Sequence, residues 1–553
     1  MTSSSRLGAG FLALVLVCCL TAPALAPAAA TEAALTSPKL ILGFEREADL
    51  NSLELLLVPA QPSSVAIVRE EATEGDHSLQ VSVSPAGVEL RFLLGQQVLT
   101  GVYALSFDLV SDASEPMGVT GYVLGRYPRP AASVPALPYE RLIRPGENRV
   151  FIRQPAESGL NLTRAQLVTI LQLPGRDEPY TVHLDNVRLM PQPAQATAII
   201  KGPYLQNLSP TSVTLMWETD GPGDSSFTMT SDRGGAKAYV SERRTVHQVT
   251  VPDLAPGTEY VYAVRSGDAA SERFTFRTAP AEADALRFAV YGDTRTQPLE
   301  HWRVAEAIRR SRPEFVLHTG DLVASGPAYD YWESDFFQPA CDLLATTCLF
   351  PVPGNHEAEA HWYYDFVAPP GDVESWYDFR WGPAYFLALD SEKPFDPTSE
   401  QYAWLRQRLT SEACRQARWH FAFWHQPAYS SGSHGGSEAL RQHVVPLLVE
   451  AGFDMVFAGH DHCYERSHAD GLYHITAGGG GAPLYEQEPV DEEGKPRNPA
   501  SQAFVTAYHF CLVEADGNTL VLTALTPDGK VIDRVTVTKG SPSRPDDESS
   551  LPR

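Results

Sequence analysis

The sequence predicts a multidomain chain, two β-sandwiches followed by an α/β domain, and three observations carry that prediction. At 553 residues the chain exceeds what one hydrophobic core organises. Its first 280 or so residues are short, partly alternating apolar runs broken by Gly, Pro, Asp and Asn turns, and a Pro/Ala/Gln stretch at 191–198 divides them. From Leu286 to His462, five runs of strand length each end in a turn carrying a carboxylate, an amide or an imidazole: LRFAVYGDTR, FVLHTGDLV, PVPGNHE, FAFWHQP and VFAGHDHCYER. A mostly parallel sheet has this appearance when its chemistry lies at the carboxyl ends of its strands.

Plentiful Pro (44) and Gly (40) favour strands joined by turns over long helices. The formal charge of -25, with no compensating Lys/Arg block, argues against an extended nucleic-acid backbone as partner and leaves room for a local cationic pocket. Residues 1–30 read as a signal peptide: Arg6, an apolar run from Leu7 to Leu20, then APALAPAAA. The apolar run is short for a membrane span, so a secreted or periplasmic mature chain without a transmembrane segment is expected. Cys18 and Cys19 raise lipid anchoring, which Val17 and Cys18 disfavour, because neither is the small residue that normally precedes a lipidated cysteine. Of the five later cysteines, Cys341 and Cys348 are close enough in sequence to staple a short loop.

Residues 37–192 form the first β-sandwich. GFE (43–45), GDHSLQV (75–81) and HLDNVRL (183–189) resemble the accessory jelly-roll modules of carbohydrate-active and other secreted enzymes. That resemblance implies neighbouring first and last strands with a structural calcium beside them. Glu45 and Asp185 are the residues for it, the alternative being ordinary turn carboxylates. Contact with a glycan or cell surface is analogy at this stage. In residues 199–280, an alternating strand places Trp217 on a core face, and LAPGTEYVY (254–262) resembles a fibronectin type III domain, with Leu254 and Tyr260 also in the core.

Residues 285–538 form the α/β domain. After the strand at 286–291 comes a helix at about 300–311, with Trp302, Ala305 and Ile308 inward and Pro313 ending it. The strand FVLHT closes a βαβ unit. Helices follow at 401–410 and, despite Pro446, at 437–451, with strands at 419–425 and 454–459. Pairs of β runs complete the domain, and 539–553 is a Ser/Pro/Asp-rich tail without structure of its own.

Asp293, Asp321, Asn355, His425, His460 and His462 are the candidate metal ligands. Mixed oxygen and imidazole donors favour zinc, iron, manganese or cobalt over calcium, and six ligands suit two ions sharing a carboxylate. The series GD, GD, GNHE, H, GHDH resembles the metallophosphoesterases and, with the following YER, is most similar to their purple acid phosphatase branch. The resemblance implies a four-layer α/β/β/α domain with two metals (Fe, Zn or Mn) between the sheets. It places Asp293 and His462 on the first metal, Asn355, His425 and His460 on the second, and Asp321 between them. His356 would face the phosphate and stabilise or protonate the leaving group.

The sequence departs from this pattern at two positions. Arg295 stands where many metallophosphoesterases place His, and Ala324 stands where the purple enzymes place a ligating Tyr, so the first metal is one protein ligand short and no phenolate-to-iron colour is expected. Arg295 either clamps phosphate oxygens or pairs with a nearby carboxylate. Glu357 is read as support for His356 or a ligand, and His434, in SSGSHGG, either lines the pocket or is an exposed loop histidine. GGGGAP (478–483) lacks the context of a nucleotide loop and is read as allowing close backbone approach at the site rim.

The expected activity is that of an acid phosphatase-like, metal-dependent hydrolase acting on small phosphoesters, phosphomonoesters before others, by metal-activated hydroxide. Two alternatives remain: a phosphodiesterase of the same fold, and a secreted polysaccharide- or surface-binding protein with a vestigial hydrolase domain. The HExxH signature of a zincin protease is absent, because Ala360 stands four residues after His356.

Overall fold

Alternation along the early runs builds two facing sheets. The computed structural model describes residues 33–34 and 39–540, except 45–52, 57–63, 94–98, 126–135, 154–166 and positions 70, 74, 101, 233, 372, 492 and 493. The signal-peptide stretch 1–30, Glu45 and the tail beyond residue 540 lie outside the described residues. One early sheet runs Ala136–Ile143, Met117–Gly125, Leu167–Leu173, Val88–Leu93, Leu53–Leu56. The other runs Gly146–Arg153, Val102–Ser111, Tyr180–Pro191, Ser78–Val83, Ser64–Val68, and Lys39–Leu42 pairs with Tyr180–Pro191. Leu79, Leu90, Phe107, Leu109, Leu171 and Leu184 belong to the single core between them.

Strands Ile199–Gln206, Val213–Ser231, Gly234–Val251, Glu259–Ser266, Ala269–Ala270 and Phe274–Arg277 form a second β unit. Trp217, Leu254 and Tyr260 are buried in it. Their polar tips find partners, as buried rings of this kind require: Trp217 Nε1 donates to Ser266 Oγ at 2.9 Å, and the Tyr260 hydroxyl accepts from Ala255 N–H at 2.8 Å.

The C-terminal half holds two sheets face to face. One is ordered Cys348–Pro351, Phe315–His318, Ala285–Tyr291, Phe510–Asp516, Thr519–Leu525, Val531–Thr538, its first three strands parallel. The other is ordered Tyr377–Trp381, Ala384–Ala388, Trp419–Phe423, Met455–Ala458, Leu472–Ala477, Tyr464–Ala469, Ser501–Val505, with four parallel strands from Ala384–Ala388 to Leu472–Ala477. Phe288 marks the plane between them: it stacks on Phe315 at 5.3 Å and meets Phe386 and Phe421 edge-on, each at 5.2 Å. Helices cover the outer faces, Pro298–Ser311 on the first sheet and Glu400–Leu409, Glu438–His443 and Val445–Glu450 on the second. No helix of the described residues is long and apolar enough to cross a membrane.

Several local readings need correction. On Pro298–Ser311 the inward stripe is His301, Val304, Ala305 and Ile308, at i, i+3, i+4, i+7, and this turns Trp302 to the half-buried flank. The expected helix at 437–451 is two helices broken at Val444, with Pro446 in the first turn of the second, where its missing N–H costs nothing. All five described cysteines are free thiols: Cys341 accepts from Arg144 at 2.9 Å and Cys348 lies within a buried strand, so no Cys341–Cys348 staple forms.

A further helical element is added to those expected from the sequence. Tyr329–Tyr331, a π-helical turn at Trp332–Phe337 and Gln338–Leu344 form one continuous helical segment. Both β units dock on it. Arg141 takes both oxygens of Asp330, at 2.6 and 2.9 Å, and Gln338 exchanges two hydrogen bonds with the Leu142 backbone. Lys201 pairs with Glu218 at 2.7 Å, and the Tyr329 hydroxyl donates to the same carboxylate at 2.8 Å.

Candidate metal centre

The six predicted ligands all sit just past the carboxyl ends of parallel strands, three from each sheet. Asp293, Asp321 and His460 take left-handed backbone angles, with φ of 57°, 55° and 70°. Asp and His are among the few L-residues that tolerate this region, and such outliers concentrate at functional sites. The preceding glycines let the turns touch: a Cβ on Gly354 would lie 2.3 Å from an Asp321 oxygen, and one on Gly459 2.3 Å from an Asp293 oxygen.

The donor atoms gather into two overlapping groups. Asp293, Asp321 and His462 offer atoms within 4.8 Å of one another, all three residues buried. Asn355 Oδ1 lies 3.0 Å from His425 Nε2 and 3.1 Å from His460 Nδ1, those two nitrogens are 3.1 Å apart, and Asp321 Oδ1 is 3.3 Å from His425 Nε2. Asp321 therefore belongs to both groups. His425 Nδ1 faces Thr319 O at 2.9 Å and His462 Nδ1 faces Pro483 O at 2.7 Å, so each ring holds its proton on that side and turns the Nε2 lone pair inward. The inward His425 Nε2 lone pair facing the Asp321 and Asn355 oxygens at 3.3 and 3.0 Å is a donor set that suits a cation. The donor chemistry thus fits metal ions at both groups, with Ala324 adding no donor to the first.

Electrostatics point the same way. Burial, then the neighbouring Asp321 carboxylate, pushes Asp293 well above the usual carboxylate range. Burial, then His425, holds His460 down at about 3, and burial holds His462 down at about 4, so both rings are neutral and free to ligate. His434 is raised, first by its hydrogen bond to Asp461, with Nδ1 3.1 Å from Asp461 Oδ1, and its ring stands 4.2 Å from that of His460.

Of the remaining predicted residues, Arg295, His356 and His434 border the same site. Arg295 reaches Asp321 Oδ2 at 3.3 Å and His462 Nε2 at 3.4 Å, so it pairs with a site carboxylate while staying beside the first group. His356 Nδ1 is held by Ala324 O at 2.7 Å, and its Nε2 lies 3.8 Å from Asp321. Asp185 lies remote from them, its carboxylate accepting from Thr73 and Asn186, and its expected companion Glu45 falls outside the described residues. Glu357 does not hold His356. It accepts from the backbone N–H groups of Asp321, Leu322 and Gly354 at 3.0, 2.9 and 2.6 Å and so fixes the turns that carry Asp321 and Asn355.

Residue-by-residue reading missed three supports. Asp461, between the two histidines of GHDH, orients His434. His318 accepts from Gly320 N–H through Nδ1, so its Nε2–H donates to Thr294 Oγ at 3.2 Å and ties the Asp293 turn to the Asp321 turn. Asp335, on the π-helical turn, accepts from Ala324 N–H at 2.8 Å. Of these only Asp461 had a signal, its place inside GHDH.

Comparison with known proteins agrees with this geometry. Residues 286–464 match the calcineurin-like phosphoesterase family, and residues 203–278 match the purple acid phosphatase N-terminal domain. Purple acid phosphatase 15 of Arabidopsis thaliana is 27% identical over 318 residues, covering 48% of this chain and 59% of that one. Purple acid phosphatase 21 of the same plant is 31% identical over 263 residues, covering 43% and 58%. The chain thus spans less than two thirds of the length of these relatives. Purple acid phosphatase PPD1 from yellow lupin seeds superposes with a TM-score of 0.58 at 17% identity, over 82% of this chain and 93% of that one, which shows a shared fold.

Proposed function

We infer that this chain, which joins a purple acid phosphatase N-terminal domain to a calcineurin-like phosphoesterase domain, hydrolyses small phosphoesters, phosphomonoesters first among them. The observation that carries the reading is the convergence of Asp293, Asp321, Asn355, His425, His460 and His462 from strand ends of two sheets. Asp293, Asp321 and His462 would hold one cation and Asp321, Asn355, His425 and His460 a second. Bound there, iron, zinc or manganese supplies charge neutralisation and Lewis-acid activation of water.

The rest falls to side chains of this chain. Arg295 offers guanidinium N–H groups to phosphoryl oxygens, a geometry that strengthens as negative charge develops. His434, whose pKa is raised by its hydrogen bond to Asp461, and His356, with Nδ1 tied to Ala324 O, stand on the cleft wall to give a proton to the leaving oxygen. In this reading the chain is exported through 1–30, its first unit at 37–192 contacts glycan, residues 199–280 are a fibronectin III-like unit, and 285–538 are a four-layer α/β/β/α hydrolase domain.

Metal analysis alongside hydrolysis of an aryl phosphate and a bis-aryl phosphate tests it. Near two metals per chain, with turnover lost in Asp321→Ala, is the expected result, and the ratio of the two rates divides phosphatase from phosphodiesterase. No metal and no turnover after addition of manganese, zinc and iron would replace the hydrolase with a surface-binding protein.

A further inference from the structure

The run Gly478–Pro483 is pressed against the Asp293 and His462 turns of the first ligand group. Gly480 N–H donates to Gly292 O at 2.9 Å and Ala482 N–H to Asp293 O at 2.8 Å, while Pro483 O takes the His462 Nδ1 proton. A Cβ on Gly480 would lie 2.3 Å from Gly292 O, so only glycine closes this contact. Two residues beyond the strap, Tyr485 N–H donates to His462 O at 3.0 Å. Its ring lies on the His462 imidazole, centroids 4.1 Å and planes 19° apart, and 5.4 Å from the His434 ring. The Arg295 guanidinium reaches Nε2 of the His462 imidazole at 3.4 Å, so the guanidinium and the phenol ring meet at one side chain.

Arg295 needs such a partner. Its contacts to Asp321, His462 and Thr296 measure 3.3, 3.4 and 3.3 Å, longer than the 2.7–2.9 Å usual for charge-assisted hydrogen bonds. A flexible side chain held only by long contacts keeps much of its rotamer freedom and loses it when substrate binds. Ala324 puts no phenol on the Asp321 turn, whereas Tyr485 brings one from the opposite wall on a ring already fixed by stacking.

We propose that Tyr485 is a positioning residue, whose hydroxyl accepts from Arg295 and holds the guanidinium turned toward the phosphoryl group of the substrate. The assignment rests on the phosphoester-hydrolase reading above. In that arrangement the phenol has a task other than metal ligation.

The test compares wild type, Tyr485→Phe, Arg295→Ala and the double variant, each checked for thermal unfolding and metal content, on an aryl phosphate with inorganic phosphate as competitor. Tyr485→Phe keeps the stacked ring and removes only the hydroxyl. Its KM and its inhibition constant for phosphate should both rise about 10-fold, the usual worth of a hydrogen bond to a charged group. Any fall in kcat should not exceed that of Arg295→Ala, metal content should stay as in wild type, and the double variant should be no worse than Arg295→Ala alone. Wild-type KM and phosphate inhibition in Tyr485→Phe would overturn the proposal, as would additive effects in the double variant. A lost metal equivalent in Tyr485→Phe would overturn it in favour of a ligating phenolate. If wild type turns over neither ester, the hydrolase reading falls instead, and phosphate titration of wild type against Tyr485→Phe by calorimetry still decides the contact: equal affinities reject it.

Discussion

Arg141→Leu isolates the buried ion pair that joins the N-terminal β unit to the helical segment 329–344. The Arg141 side chain is 3% exposed and that of Asp330 10%, and the guanidinium also donates to Glu140 O and Phe151 O at 2.8 and 2.9 Å. Removing it leaves the Asp330 carboxylate out of water without a countercharge, a loss of about 3–5 kcal/mol. Calorimetry of the full chain should show more than one transition, since so long a chain does not unfold in one step. The transition of the N-terminal unit should fall by about 2–4 °C per kcal/mol, roughly 10 °C altogether. Arg141→Leu/Asp330→Leu removes both charges and should recover at least about 2 kcal/mol of that loss, because a buried pair replaced by apolar groups is often near neutral. An unchanged transition in Arg141→Leu, or a double variant as unstable as the two single losses added, would refute the reasoning.

Other expectations concern the site. Asp461 holds His434 above the ordinary histidine range, so turnover that uses the protonated ring is lost as pH rises through that raised value. Asp461→Asn should move this alkaline limb to lower pH, and a pH–rate profile with an unmoved limb would remove His434 as proton donor. The stability from the same contact has the same sign, complete below the ordinary histidine value and lost as pH rises through the raised one. Stripping cations with a chelator should lower the unfolding temperature of the C-terminal half, by the equivalent of about 4 kcal/mol where metal stood at a thousand times its Kd. In Asp321→Ala the response should be much smaller. Gly480→Ala, whose methyl would sit 2.3 Å from Gly292 O, should cost about 1–3 kcal/mol and reduce metal retention, measured by thermal melts and metal analysis. With Ala324 in place of a ligating tyrosine, the iron-loaded protein should show no tyrosinate absorption band in the visible, and a band abolished by changing any tyrosine would contradict this.

What was legible in the sequence followed from repetition. Gly-Asp, Gly-Asn and Gly-His at the ends of apolar runs announced the parallel strands and the turns that carry the candidate ligands, because each glycine is needed where one such turn meets another. Which imidazole nitrogen faces inward was not legible, since the Thr319 and Pro483 carbonyls that decide it are far from His425 and His462 in the chain. Glu357 illustrates the same limit: its place beside His356 suggested a side-chain partner, whereas its oxygens turn back to backbone N–H groups of two turns. Segment 329–344 does carry a helical stripe, with Tyr329, Trp332, Phe336, Ala340 and Leu343 recurring at spacings of three and four in one core, but Pro339 interrupts it and reads as a helix breaker. Trp302 misled for another reason, its size suggesting the core where His301 and Val304 hold the inward register.

That helical segment has a consequence for how such a chain can change over generations. Within it, Asp330 answers to Arg141 of the first β unit, Tyr329 to Lys201 and Glu218 of the second, and Asp335 to the turn that carries Asp321. A recombination event that brought in a different N-terminal module would strand Asp330 and Gln338 together, and a shift of one residue in the helix would carry Asp335 away from Ala324. The accessory β units are therefore not cassettes: they and residues 329–342 have to vary in concert, and relatives without the first unit should carry an uncharged residue where Asp330 stands.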